Sequence, residues 1–147
     1  MKDVTTNNVA ETEALGQVLA AQLRPGDVLL LRGELGAGKT AFTRGIAAGL
    51  GVEGPVASPT FTLLNCHEGR IGLSHFDLYR LDGDDAFYEA GLEDYIGGNA
   101  VAVVEWPERC EGAMPLCRLE INICYATEEN ERNIIFTPMG GFREVTL

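Results

Sequence analysis

The sequence predicts an α/β fold: a three-layer sandwich around a mixed central sheet, with parallel strands in the middle and antiparallel strands towards one edge. Three observations predict it. Residues 33–40 read Gly-Glu-Leu-Gly-Ala-Gly-Lys-Thr, between the apolar run Asp27-Val28-Leu29-Leu30-Leu31 and a segment with helical spacing of Phe42, Ile46, Ala47 and Leu50. Val101-Ala102-Val103-Val104 is apolar throughout, as a central strand buried on both faces must be. Leu119, Ile121 and Ile123 alternate with Glu120, Asn122 and Cys124, the pattern of a half-exposed strand.

The remaining elements follow in chain order. Leu15, Val18, Leu19 and Leu23 recur at three and four, so residues 11–23 should form an amphipathic helix, stopped by Arg24-Pro25-Gly26. The strand of residues 27–31, the glycine loop and a helix over 40–50 come next. Residues 51–60 hold two glycines and two prolines and should be irregular. Residues 61–65 and 71–76 read as two strands joined by a turn at Glu68-Gly69. A last strand, 133–137, should follow a hairpin turn within 127–131. Gly91, Gly97, Gly98, Gly140 and Gly141 mark turns and helix ends.

The 147 residues make one domain, 1–147, of ordinary size. The net charge of −11, from 22 acids against 11 bases, argues against direct binding of nucleic acid, though not against service to an RNA pathway through a partner. Cys66, Cys110, Cys117 and Cys124 show no C-x-x-C spacing and are expected as reduced thiols. No apolar leader and no apolar run near 20 residues is present, so a soluble, cytoplasmic protein without membrane contact is expected.

Residues 33–40 fit G-x-x-x-x-G-K-[ST], whose backbone N–H groups cradle phosphates. In that pattern Lys39 reaches the β/γ oxygens and the Thr40 hydroxyl meets Mg²⁺. Strand, loop and helix together present unpaired amides and a positive dipole to an anion, so the fold is expected to be P-loop NTPase-like. Gly33, Leu35, Gly36, Ala37, Gly38, Lys39 and Thr40 are the candidate nucleotide-binding residues. A triphosphate needs a divalent ion, and carboxylates at the C-terminal ends of apolar strands are where to seek its support. Glu105 closes the run 101–104 and is assigned the metal; Asp77, after the run 71–76, is assigned the attacking water or an outer contact to the metal. For each, the plain alternative is a solvated acid at a strand end.

Ser58-Pro59-Thr60-Phe61 offers hydroxyls in a loop able to sense a γ-phosphate, or simply a capped turn. Trp106, the lone tryptophan, is either a core residue or a neighbour of the nucleotide. His75 is expected as a hydrogen-bonded scaffold residue near Asp77, and hydrolysis needs neither it nor His67. Six acids and no base occupy residues 82–94, as a solvated face or as an electrostatic docking patch.

In combination, Gly33 to Thr40, Ser58-Pro59-Thr60-Phe61-Thr62-Leu63, His75-Phe76-Asp77-Leu78-Tyr79-Arg80-Leu81 and Val104-Glu105-Trp106-Pro107-Glu108 resemble the TsaE (YjeE) family of small bacterial ATPases. The likeness runs from Thr12 to about Pro115; beyond that only a strand pattern matches. It departs at Cys66-His67, where family members usually carry an aromatic residue near 65–67. The resemblance implies an ATP-driven accessory to the TsaB–TsaD pair in making threonylcarbamoyladenosine in tRNA, with the RNA held by a partner. It further implies that Lys39 and Thr40 bind phosphate and Mg²⁺, that Glu105 is the metal carboxylate and that Asp77 is catalytic. Ser58 and Thr60 would belong to a switch-like loop, Trp106 would flank the nucleotide, and Thr12 would lie near the adenine or ribose.

Three rival functions remain open to the sequence. A small-molecule kinase would use the same loop, but only Arg44, Arg80 and Arg109 lie where a lid arginine could. A GTP switch would use Asn-Lys-x-Asp, and no Asn here precedes Lys. A module that holds nucleotide without cleaving it needs no feature beyond the loop.

Overall fold

The computed structural model describes residues 1–34, 36–57, 59 and 62–147. Among these, seven strands form one sheet: β1 (Lys2–Thr6), β2 (Val28–Arg32), β3 (Leu64–His67), β4 (Gly72–Asp77), β5 (Ala100–Glu105), β6 (Arg118–Tyr125) and β7 (Arg132–Met139). Three α-helices accompany them: α1 (Val9–Ala20), α2 (Lys39–Gly49) and α3 (Asp84–Glu89). Leu92–Tyr95 and Pro107–Ala113 form 3-10 helices.

The strand order is β1-β7-β6-β2-β5-β4-β3. β6, β2, β5 and β4 run parallel, and the expected antiparallel pairs, β6–β7 and β1–β7, form one edge. A further antiparallel pair, β3–β4, closes the opposite edge, so antiparallel pairing flanks the parallel centre on both sides rather than one. The reason is local: only the short connection of residues 68–71 separates β3 from β4, far too little for a parallel crossover.

Alternation along the strands sorts the core into two layers. Leu29, Leu31, Val101, Val103, Leu119, Ile121 and Ile123 pack with α1 and α2 on one face. Val28, Leu30, Ala102, Val104 and Phe76 pack with Phe87 of α3, Leu92, Cys110 and Met114 on the other. Helical segments therefore cover both faces, giving the expected three layers.

Observed bounds differ from the expected ones for identifiable reasons. Helix α1 starts earlier because the Asn8 side chain caps it, its Oδ1 accepting from the Glu11 amide at 2.9 Å. Strand β3 begins only at Leu64 because Leu63 has φ 65°, outside extended geometry; Phe61, at the start of the expected strand, lies outside the described residues. Strand β1 was not expected, since Lys-Asp-Val-Thr-Thr has no apolar alternation; pairing with β7 alone makes it a strand. In the acidic segment, Phe87 and Leu92 turn inward while Asp85, Glu89, Glu93 and Asp94 face solvent.

Helices α1 and α2 meet backbone to backbone. A Cβ at Gly16 would stand 2.6 Å from the Phe42 carbonyl oxygen, and one at Gly45 would collide with the Glu13 carbonyl. Glycines inside these helices cost helical propensity, and the close crossing is what requires them. No helix among the described residues is long and apolar enough to cross a membrane.

Candidate functional site

The site lies at the C-terminal ends of the parallel strands, on the α1–α2 face. From Arg32 the chain passes through Gly33 and turns at Glu34, whose carbonyl accepts the Ala37 amide at 3.0 Å. Gly36 and Gly38 adopt φ of 79° and 111°, values a side chain would oppose. Gly38 then caps α2 without any side-chain bond to its first amides, and the first helical bond runs from the Phe42 amide to the Gly38 carbonyl at 3.0 Å. The leading N–H groups of α2 have no carbonyl within the helix to bind, so helix geometry itself aims donors at the strand ends.

Lys39 is 6% exposed. Its Nζ donates to the Gly33 carbonyl at 2.9 Å and stands 4.1 Å from the Trp106 ring centroid. An ammonium has three donors, so two beyond the Gly33 bond can serve another acceptor. Thr40, half-buried, borders the same space.

The two carboxylates come from neighbouring strands in register, Asp77 of β4 opposite Glu105 of β5. Both share the strand face of Leu73 and of Val101 and Val103, which is why they reach the helix α2 side. Both are buried. Asp77 Oδ1 accepts the Tyr79 amide at 3.0 Å. Glu105 Oε2 and His75 Nε2 are hydrogen-bonded at 2.6 Å, deep in the protein. His75 is thus the scaffold residue expected, with Glu105 as its partner.

Backbone strain flanks both acids. Among the described residues, only Leu63 and Trp106 are non-glycine residues at positive φ. The Leu63 carbonyl accepts the Asp77 amide at 2.9 Å, and Trp106 directly follows Glu105. A left-handed residue turns the chain sharply out of β5 before Pro107 opens the next turn. The indole consequently stands over Lys39 and against Tyr79, ring centroids 4.9 Å apart. Strain of this kind is held at functional sites by the surrounding packing.

Together these residues line a cleft of about 710 Å³, within the range of small-molecule sites. Gly36, Gly38, Lys39, Thr40, Asp77, Glu105 and Trp106, all anticipated, line it. Gly33 and Ala37 build the loop from behind, Ala37 with no exposed surface. Thr12 is buried, its hydroxyl bonded to that of Thr6 at 2.7 Å; Val9, one turn earlier, borders the cleft instead. Leu35, Ser58 and Thr60 lie outside the described residues. Val9 and Tyr79 line the cleft without having been singled out from sequence, and Arg44, raised there only as a possible lid arginine, lines it too. Tyr79 stands two residues from Asp77, so spacing could have raised it. The Arg44 guanidinium pairs with Glu13 at 3.1 Å.

Known proteins agree with this reading of the fold. The family described as threonylcarbamoyl adenosine biosynthesis protein TsaE matches residues 6–134. A tRNA threonylcarbamoyladenosine biosynthesis protein TsaE from Bacillus subtilis is 44% identical over 141 residues, covering 95% of this chain and 87% of the relative. Its namesake from Treponema pallidum is 37% identical over 125 residues, covering 85% and 93%. The crystal structure of Bacillus subtilis YdiB superposes with a TM-score of 0.83 at 41% identity, over 95% of this chain and 86% of that one. Sequence likeness along nearly the whole chain and the matching architecture make it a member of the TsaE family of threonylcarbamoyl adenosine biosynthesis proteins.

Proposed function

We propose that this cytoplasmic protein binds Mg-ATP in the cleft and hydrolyses it, slowly alone, to support the TsaB–TsaD pair in threonylcarbamoyladenosine modification of tRNA. The observation that carries the reading is the meeting of a phosphate-type loop with two buried carboxylates, in register on adjacent strands, across one cleft. Family membership supports the pathway, and the partners are proposed from the family resemblance. The charge of −11 supports contact with tRNA only through those partners.

The amides of Gly38 to Ala41 and the two remaining Lys39 donors would hold the phosphate tail. The donor set suits a hard cation: a threonine hydroxyl and carboxylate oxygens. Among the described residues no three His, Cys, Asp or Glu side chains gather to hold a metal by themselves. Thr40 and Glu105 would be the protein ligands, with substrate phosphates and water supplying the rest. Mg²⁺ would supply neutralisation of charge on the β- and γ-phosphate oxygens. Asp77, fixed by the Tyr79 amide, would orient the attacking water. Trp106 would cover the phosphate end and limit access of bulk water.

The test measures phosphate release from Mg-ATP with and without TsaB–TsaD, beside ATP affinity by tryptophan fluorescence. Unassisted turnover should be slow, on the order of 10⁻⁴ s⁻¹ as in GTPases lacking an arginine finger, and the pair should raise it by decades. Lys39→Ala should lower turnover roughly 10²–10³-fold and weaken ATP binding. Asp77→Asn should keep ATP and lose cleavage. ATP binding with no phosphate release under any condition would make this a regulatory module, and phosphorylated product in place of free phosphate would make it a kinase.

A further inference from the structure

The outer side of the phosphate loop rests against the hairpin of β6 and β7, and one side chain of the hairpin hydrogen-bonds to it. Arg132 opens β7, opposite Tyr125 at the end of β6. Its Nε donates to the Ala37 carbonyl at 2.9 Å, and its Nη1 donates to the carbonyls of Glu129 and Glu131 at 2.8 and 2.9 Å. The guanidinium lies 4.6 Å from the Tyr125 ring centroid, so stacking fixes its plane. The loop is pressed against this hairpin: a Cβ at Gly33 would stand 2.5 Å from the Ile123 carbonyl oxygen, and one at Gly36 3.0 Å from Tyr125 Oη.

The Ala37 carbonyl and the Gly38 N–H belong to one peptide unit. In a trans peptide these two groups point in opposite directions, and this chain has no cis bond among the described residues. With its oxygen tied to Arg132 behind the loop, the unit must direct its N–H away from the hairpin, and Gly38 borders the cleft on that other side. A charged donor on the oxygen also draws electrons from the amide, and chained hydrogen bonds strengthen one another. We propose that Arg132 is a positioning residue for nucleotide: it grips the loop from behind and thereby aims and strengthens the Gly38 amide as a donor to the phosphate tail. This rests on the ATP-binding reading and adds to it a residue that never touches the ligand.

The test compares Arg132→Met, Arg132→Gln and Arg132→Lys with the parent, using calorimetric affinity for ATP and for inorganic pyrophosphate and the amide NMR spectrum. In either neutral variant that keeps the native spectrum, both dissociation constants should rise about tenfold, the loss of one charge-assisted bond. Turnover at saturating ATP should change by less than about twofold, since the defect lies in binding. The Gly38 amide proton should move upfield while resonances of the far end of α2, such as Ala47, stay in place. Arg132→Lys keeps the charge without the fork and should recover part of the affinity, to within about threefold of the parent. Parent-like affinity and an unmoved Gly38 resonance in a folded neutral variant would overturn the proposal and leave ATP binding standing. If neither neutral variant folds, an unchanged affinity together with an unmoved Gly38 resonance in Arg132→Lys overturns it. A parent protein without affinity for ATP or pyrophosphate removes both readings together.

Discussion

Two glutamates flank strand β2 on opposite faces, and their surroundings differ in kind. Glu120 of β6 sits opposite Leu30 and Glu105 of β5 opposite Leu31. The Glu120 carboxylate receives Arg32 at 2.9 and 3.1 Å and Arg118 at 2.9 Å. Burial alone would raise its pKa, but the bonds and charges of the two arginines more than reverse this and hold it below the ordinary glutamate value. Arg32 is held up in turn: burial would lower its pKa, and Glu120 and Glu111 outweigh that. Glu105 is buried more deeply, its side chain 5% exposed against 15% for Glu120. Yet among the described residues no arginine or lysine pairs with it within 4.0 Å, and its bonded side-chain partner is His75. Burying a carboxylate is costly unless charge and hydrogen bonds compensate it. Glu120 is compensated within the chain and belongs to the scaffold. Glu105 has no such arginine and shares the cleft lining with Lys39 and Thr40, which is in keeping with the metal role proposed for it.

That contrast can be broken by exchanging each glutamate for its amide. Glu105→Gln should cause the larger functional loss, with Mg²⁺-dependent turnover falling by more than the roughly 10–100-fold that outer partners of a metal contribute. Its melting temperature should stay level or rise, because a buried charge has been removed. A large drop in melting temperature with normal turnover would reverse the roles assigned to the two acids. Glu120→Gln should do the opposite, lowering stability by about 1–3 kcal/mol through the weakened charged bonds while leaving ATP turnover near the parent value. Urea unfolding beside the phosphate assay checks both.

The smallest effect is in the acid limit. A carboxylate with a depressed folded pKa contributes stability that is present above its unfolded pKa and lost as pH falls through the folded value. The stability gap between the parent and Glu120→Gln should therefore be full at neutral pH and shrink as pH falls from the ordinary glutamate value through the lower folded one, where the group becomes protonated in both states. A gap independent of pH would mean that Glu120 acts through shape rather than charge.

Much of this architecture is legible in short stretches of chain. The apolar runs ending in Asp77 and Glu105 announce buried parallel strands, and residues 33–40 announce the loop, because strand pleat and glycine backbone freedom act over a few residues. Strand β1 escapes such reading, since its residues are mostly exposed and become a strand only by hydrogen bonding to β7. Trp106 is raised from sequence as a possible neighbour of the nucleotide, but no pattern marks its φ of 58° or its packing on Lys39 and Tyr79. His75 is suspect from its place beside Asp77, but its bond to Glu105 spans 30 residues.

By itself the order of residues determined a three-layer α/β chain, a phosphate-type loop after its first core strand, and two acids each closing a strand. Those features depend on periodicity and on backbone permissiveness, both properties of a local segment. The tertiary structure alone decided that Asp77 and Glu105 stand in register, that Glu105 is left to His75 while Glu120 takes two arginines, and that Arg132 reaches back 95 residues to the Ala37 carbonyl. The physical reason is that hydrogen bonds and charge pairing act over a few ångströms in space, and only folding brings such distant parts of the chain that close.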